Sequence, residues 1–261
     1  MYHSITFGDK NTWDDWKLIP ETQPIVAVPT QKTNYIDIPG ASGSLDMSEV
    51  LTGYPLFNDR EGSFTFIVTN NVGVSQPYEN RKKLIRVCED IMEYLHGKTM
   101  RMILEDDPLY YYEGRFNVSD PSPEEDFSRI TINYKVGPYK WSIYNSVDTN
   151  WLWDTFSFED GVIYKGLYSN INVLNDYSLT IPGTILGSAP IQPLFYMEKN
   201  TPGSYWYVNI TCDNVTYQSG DLRNVVNYKS EDFVASGKDI NVYVYCSGGG
   251  KLSINFRPGR L

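Results

Sequence analysis

The chain has 261 residues, 41% of them hydrophobic, enough to bury a sizeable core as one large β domain or two modest domains. Its formal net charge of −10 divides into 14 basic against 21 acidic residues over 1–140 and 8 against 11 over 141–261, so neither half suits sequence-specific nucleic acid. No apolar run is long enough for membrane insertion, and the N-terminal MYHSITFGDKNTWDDW lacks a signal-peptide core, which makes folding in cytoplasm the expectation.

The 21 Tyr, 11 Phe and 6 Trp, punctuated by 20 Gly and 15 Pro, favour short aromatic strands joined by tight turns, hence a mainly β fold. Ile5 and Phe7 predict a strand before the turn Gly8-Asp9-Lys10-Asn11, and Trp13 and Trp16 predict an anchoring loop. Tyr35, Ile36 and Ile38, then Pro39, Gly40 and Gly43, then Leu45 and Met47, read as a projecting arm with a glycine-rich tip. Too little of it is apolar to bury itself, so a partner is expected to complete it. In GSFTFIVTN, Phe64, Phe66 and Val68 share one face of a strand.

One principal helix is predicted, because Leu84, Val87, Cys88, Ile91, Met92 and Leu95 recur at three and four residues between Pro77 and Gly97. Arg81, Lys82, Lys83 and Arg86 lie near its start, where the helix dipole disfavours cations, so they either meet acids on a neighbour or form a solvated face. His96 beside Gly97 reads as a C-terminal residue favoured by the dipole. TMRMILE and YYYEGRFNV then form a hairpin, with Tyr110, Tyr112, Phe116 and Val118 on one face and Tyr111, Glu113 and Arg115 on the other. Asp106 and Asp107 belong to its turn. RITINYKV alternates Ile130, Ile132, Tyr134 and Val136 inward, and Gly137-Pro138 marks a domain boundary near residue 140. Beyond it GVIYKGLY, INVLND, YSLTIPG, PLFYMEK, SYWYVNITC, VTYQ, INVYVYC and KLSINFR read as the strands of a β-sandwich.

Enzyme chemistry has few carriers. His3 and His96 are the only histidines, and Cys88, Cys212 and Cys246 lack disulfide or zinc spacing, so they are read as reduced thiols. SGGGKL has Tyr245 where a phosphate loop needs its first glycine and Leu252 where it needs Ser or Thr, which leaves a glycine-rich hairpin turn. Glu105, Asp106, Asp107 and Glu113 offer a glycosidase pair only if their environments separate an acid from a base, and adjacent solvated acids in one turn do not. EDDPLYYYEG also lacks calcium-loop spacing. No catalytic residue, metal or cofactor is assigned. Trp151, Trp153 and Trp206, with Tyr205 and Tyr207, form either a sugar-stacking platform or core packing.

ITFGDKNTWDDWKLIP, NYIDIPGASGSLDMSEVLTGYPLFNDREGSFTFIV, the single helix, MILEDDPLYYYEGRF and ITINYKVGPYK together resemble the N-terminal domain of siphophage distal tail proteins. NWLWDTFSFEDGVI, SLTIPGTILGSAPIQPLFYM and KLSINFRPGRL are similar to the family's C-terminal galectin-like domain. The resemblance implies an α+β ring-forming domain over 1–140 with a belt arm at about 34–53, and a galectin-like β-sandwich over 141–261. It implies a homo-hexameric ring in the virion, a structural hub at the tail tip, between the major tail (tube) protein and a tail-associated or fibre protein, with a central channel for DNA or the tape measure protein. On this basis the arm is a subunit-contact element, and the hairpin 104–116 sets its tyrosines against the domain or a neighbour with Asp106 and Asp107 at a rim. The rival reading is a host cell-wall carbohydrate-binding adsorption protein acting through the C-terminal sandwich.

Overall fold

The computed structural model describes residues 3–69, 77–119, 122–123, 127–148 and 166–261. The chain divides into two compact units, Met1–Lys140 and Trp141–Leu261.

The first unit opens with β1 (Ile5–Phe7), β2 (Lys10–Asn11) and β3 (Leu18–Pro20). The arm strands β4 (Tyr35–Asp37) and β5 (Ser44–Asp46) follow, then β6 (Arg60–Thr69) and helix α1 (Pro77–Leu95). The unit continues with β7 (Thr99–Leu104), β8 (Tyr110–Val118), β9 (Ser122–Pro123) and β10 (Phe127–Val136). One sheet runs in the order β2-β1-β7-β8-β10-β6-β3, with β9 beside β10. Its register places Ile130 opposite Phe66 and Ile132 opposite Phe64, so the period-two pattern of both strands delivers one apolar face. Phe66, Ile130 and Ile132 are fully buried there with Phe7 and Phe116, whose rings meet edge to face at 5.0 Å.

Helix α1 contributes Cys88, Ile91 and Leu95 to this core, with Val87 and Met92 packed at its margin. It ends where Gly97 takes φ +74°, a left-handed conformation that costs glycine little and stops the helix. His96 stands at the helix end, its N–H bonding the Met92 carbonyl at 2.9 Å, and its Nδ1 accepts the Val118 N–H at 3.2 Å, tying helix to strand. Trp16 anchors the N-terminal loop as expected, buried edge-on against Tyr94 at 5.7 Å. The Tyr94 hydroxyl bonds Asp9 as well as the Phe7 carbonyl, and that first bond holds the Asp9 carboxyl below its usual range. Arg60, which sequence reasoning passed over, is buried and donates to the carbonyls of Ala27 and Pro138 at 3.0 and 2.9 Å.

A strand β11 (Lys140–Ser142) leads into the second unit, which holds β12 (Ile171–Val173), β13 (Asp176–Ile181) and a one-turn helix α2 (Gly183–Leu186). Then come β14 (Leu194–Lys199), β15 (Trp206–Cys212), β16 (Val215–Gln218), β17 (Asn227–Lys229), β18 (Ile240–Cys246), β19 (Gly250–Asn255) and β20 (Gly259–Arg260). Two four-stranded antiparallel sheets, β12-β19-β14-β17 and β13-β18-β15-β16, each bury one face, the layout of a sandwich. Two expectations change. In GVIYKGLY, residues 161–165 lie outside the described residues and Gly166–Tyr168 is a turn rather than a strand. The SGGGKL turn is no hairpin, because β18 and β19 belong to different sheets; the chain crosses there through Gly248 and Gly249, both at positive φ.

Candidate functional site

The arm leaves the first unit through a short neck. Asn58 donates to the Thr30 carbonyl and Lys32 to that of Leu56, both at 2.8 Å. Beyond the neck, Tyr35 pairs with Asp46, Ile36 with Leu45 and Asp37 with Ser44, and among the described residues no further strand joins them. Gly40 and Gly43 turn the tip at φ +84° and +83°, and an added Cβ would meet nothing within 4 Å of either. Ser48 donates from its backbone and its hydroxyl to the Asp46 carboxylate, the hydroxyl bond being the larger cause that keeps this acid below its usual range at the base of the arm.

Both faces of this hairpin are in water. Tyr35, Ile36, Ile38 and Leu45 are about half exposed, Pro39, Gly40 and Gly43 are exposed, and Leu51 just beyond is 99% exposed; only Met47 is partly covered. A free two-stranded hairpin is marginal in water, and here a run of apolar side chains lacks cover that the unit itself could supply. At the neck lies a cleft of about 480 Å³ lined by Thr30, Lys32, Asn58, Asp59, Glu61 and Lys135, where Lys135 pairs with Glu61 at 2.6 Å. The donors are exposed and mutually neutralised, a poor setting for a small charged ligand.

The acidic hairpin is arranged otherwise. Tyr110 and Tyr112 face the core, and Tyr111 on the opposite face is buried too, beneath the Arg101 guanidinium at 4.5 Å from its ring centre. Of the three, Tyr112 joins the hydrophobic core of the first unit. The acids are not freely solvated, which corrects the sequence expectation. Glu105 accepts the Ser4 N–H at 2.7 Å and its hydroxyl at 3.1 Å. Asp106 bonds His3 Nδ1 at 2.9 Å and Gln23 Nε2 at 3.0 Å, and Asp107 pairs with Lys140 at 2.5 Å. Glu113 sits 3.9 Å from Arg101, while Arg115 donates to the Gly97 carbonyl.

Hydrogen bonds from Ser4 hold the Glu105 carboxyl below its usual range, and those from Gln23 and His3 do the same for Asp106. Both shifts favour the ionised form, the opposite of what a general acid requires. The turn thus fastens the N-terminal segment and Lys140 to the sheet. Burial pushes the thiols of Cys88, Cys212 and Cys246 up, away from the reactive thiolate. Among the described residues no group of acids, histidines and cysteines is placed to hold a metal ion.

Of the aromatic candidates in the second unit, Trp151 and Trp153 lie outside the described residues. Trp206 is fully buried and donates its indole N–H to the Val225 carbonyl at 2.7 Å, so its place in a sugar platform is withdrawn: it is core. Its neighbours Tyr205 and Tyr207 point to the other side of the sheet, where they meet Tyr243 and Tyr245 of β18. The alternation of INVYVYC carries that information, setting Tyr243 and Tyr245 on the face opposite Val242 and Val244.

The fold defines a mainly β protein with an α+β unit carrying an uncovered arm and a second unit of two antiparallel sheets. That is also the fold of SPP1 Dit (gp 19.1), a crystal structure described as a paradigm of the hub adsorption apparatus in phages infecting Gram-positive bacteria. The two match over 100% of each chain with a TM-score of 0.58 and 14% sequence identity. No protein-family model and no curated protein matches the chain.

Proposed function

We propose that this chain is the structural hub of a long, non-contractile phage tail tip. Six copies close a ring through the first unit, and the ring joins the major tail (tube) protein to the tail-associated or fibre protein that contacts the host, with the tape measure protein in its channel. The second unit acts as a galectin-like module projecting from the ring. The role is architectural and involves no chemical step, cofactor or metal. The protein resides in the virion after folding in the bacterial host cytoplasm.

The observation that carries this proposal is the hairpin of β4 and β5, half exposed on both faces in a chain whose fold matches SPP1 Dit from end to end. An uncovered apolar hairpin that repeats on identical subunits suits a head-to-tail contact, and such contacts close into rings. The acidic balance of residues 1–140 is compatible with a channel that does not grip DNA. Native mass spectrometry of the full chain should show a hexamer, six times 29.9 kDa, and antibodies should label virions at the tail tip. A chain that stays monomeric at every concentration and is absent from purified virions would overturn the proposal.

A further inference from the structure

The outer face of the β13-β18-β15-β16 sheet has an uncommon composition. β18 buries Ile240, Val242, Val244 and Cys246, so Asn241, Tyr243 and Tyr245 face outward. The register sets Tyr207 opposite Tyr245 and Asn209 opposite Tyr243, all on that side. Ring centres follow one another from Tyr205 to Tyr245 at 5.6 Å, to Tyr207 at 5.4 Å and to Tyr243 at 6.1 Å, an unbroken ladder of four half-buried rings. At a strand rise of about 3.3 Å and a strand spacing of about 4.8 Å, the rings cover a patch suited to one or two sugar rings.

Hydrogen bonding toward Tyr207 and toward Tyr205 is the main cause that raises the Tyr243 and Tyr245 phenols above their ordinary range. Around the rings the same face carries Ser178 and Asn209, with Gln218 opposite Asn209. These hydroxyl and amide groups are uncharged donors and acceptors. Asp176, opposite Tyr245, is the charged member of the strand registers that cross the ladder. Ile181, Val208, Ile210, Ile240, Val242 and Val244 fall on the other side, in the core.

From this we infer that the outer face of the β13-β18-β15-β16 sheet binds neutral oligosaccharides, the apolar faces of the sugars resting on the tyrosine ladder and their hydroxyls meeting Asn209, Gln218 and Asp176. Aromatic surface edged by neutral amides and one carboxylate is the chemistry that pairs with vicinal hydroxyls and C–H faces. A protein-docking face of this size would carry aliphatic anchors, and an anionic polymer would need several cations on the face of a chain with net charge −10, whereas the guanidinium beside the ladder, Arg223 at 5.8 Å from the Tyr205 ring centre, pairs with Asp221 at 3.5 Å. The inference goes beyond the hub role and does not depend on ring closure.

The test uses the purified full chain on an array of neutral hexose and N-acetylhexosamine oligosaccharides beside sulfated and phosphorylated counterparts, with proton saturation transfer on the hits. Neutral glycans should bind saturably and receive saturation from tyrosine protons. Tyr207→Ala and Tyr245→Ala should each weaken binding about 10-fold or more, while Tyr207→Phe, which keeps the ring, should stay within about 3-fold. Where an alanine variant melts early, Asn209→Ala, which removes an amide and no ring, carries the same expectation. Absence of neutral-glycan binding by the natural chain, preference for the anionic series, or undiminished binding in the variants would overturn the inference. Variants that lose a protein contact while the natural chain binds no glycan would overturn it in favour of a protein partner. Hexamer content, measured on the same samples, reports separately on the hub.

Discussion

Replacing Ile36 and Leu45 together with serine should dismantle the ring while leaving the fold of the first unit in place. The two face each other across the arm and are 47% and 48% exposed in the single chain. Burying a whole Ile or Leu side chain is worth roughly 1.5–3 kcal/mol, so covering the exposed half of each contributes about 1 kcal/mol. The pair then supplies roughly 2 kcal/mol per subunit contact, about 30-fold in affinity at 1.4 kcal/mol per decade. Since neither residue belongs to the core beneath α1, thermal unfolding should shift little. Sedimentation velocity or native mass spectrometry across a concentration series, paired with melting curves, reads both quantities. A melting loss as large as the assembly loss would show that the hairpin supports its own unit. Unchanged hexamer content would remove the arm from the interface altogether.

Three further outcomes test the fold. Glu105→Gln should lower the melting temperature at neutral pH and match the natural chain in acid. The carboxyl sits lower in the folded chain than its unfolded value near 4, so its contribution is full above about pH 4 and fades as pH falls through the folded value; a gap that stays constant down to about pH 2 would refute this. Gly114→Ala would place a Cβ 2.1 Å from the Lys135 carbonyl oxygen between two central strands. A loss of about 3 kcal/mol in urea unfolding is expected, at the upper end of overpacking, and a change within about 0.5 kcal/mol would refute the contact. Trp206→Ala should cost about 3–5 kcal/mol through the emptied core and the lost bond to Val225, and a near-neutral result would return Trp206 to the surface.

Much of this architecture was legible without coordinates. Leu84, Val87, Cys88, Ile91 and Leu95 announce α1, and Gly97 announces its end, because a helix repeats every 3.6 residues and needs a left-handed residue to stop. Phe64, Phe66 and Val68, like Ile130, Ile132 and Tyr134, announce strands with one buried face, as the structure shows. Thin apolar content around Gly40 and Gly43 already marked an arm with little to bury, since that judgement needs only local composition.

What remained closed to the sequence concerns partners distant along the chain. Alternation at Tyr205, Trp206 and Tyr207 placed the tryptophan opposite the two tyrosines, but which side became core depended on the second sheet, and whether the tyrosines met other rings depended on Tyr243 and Tyr245, more than thirty residues away. The acids of LEDDPLYYYEGRF looked alike because their sequence neighbours are alike. Tertiary structure set them apart by bringing Ser4 to Glu105, His3 and Gln23 to Asp106, and Lys140 to Asp107. Likewise, SGGGKL could turn back within one sheet or cross to the other, and its glycines permit both. Local periodicity determines which side chains lie on a common face; only the packing of remote strands determines what covers that face and what is left uncovered for a partner.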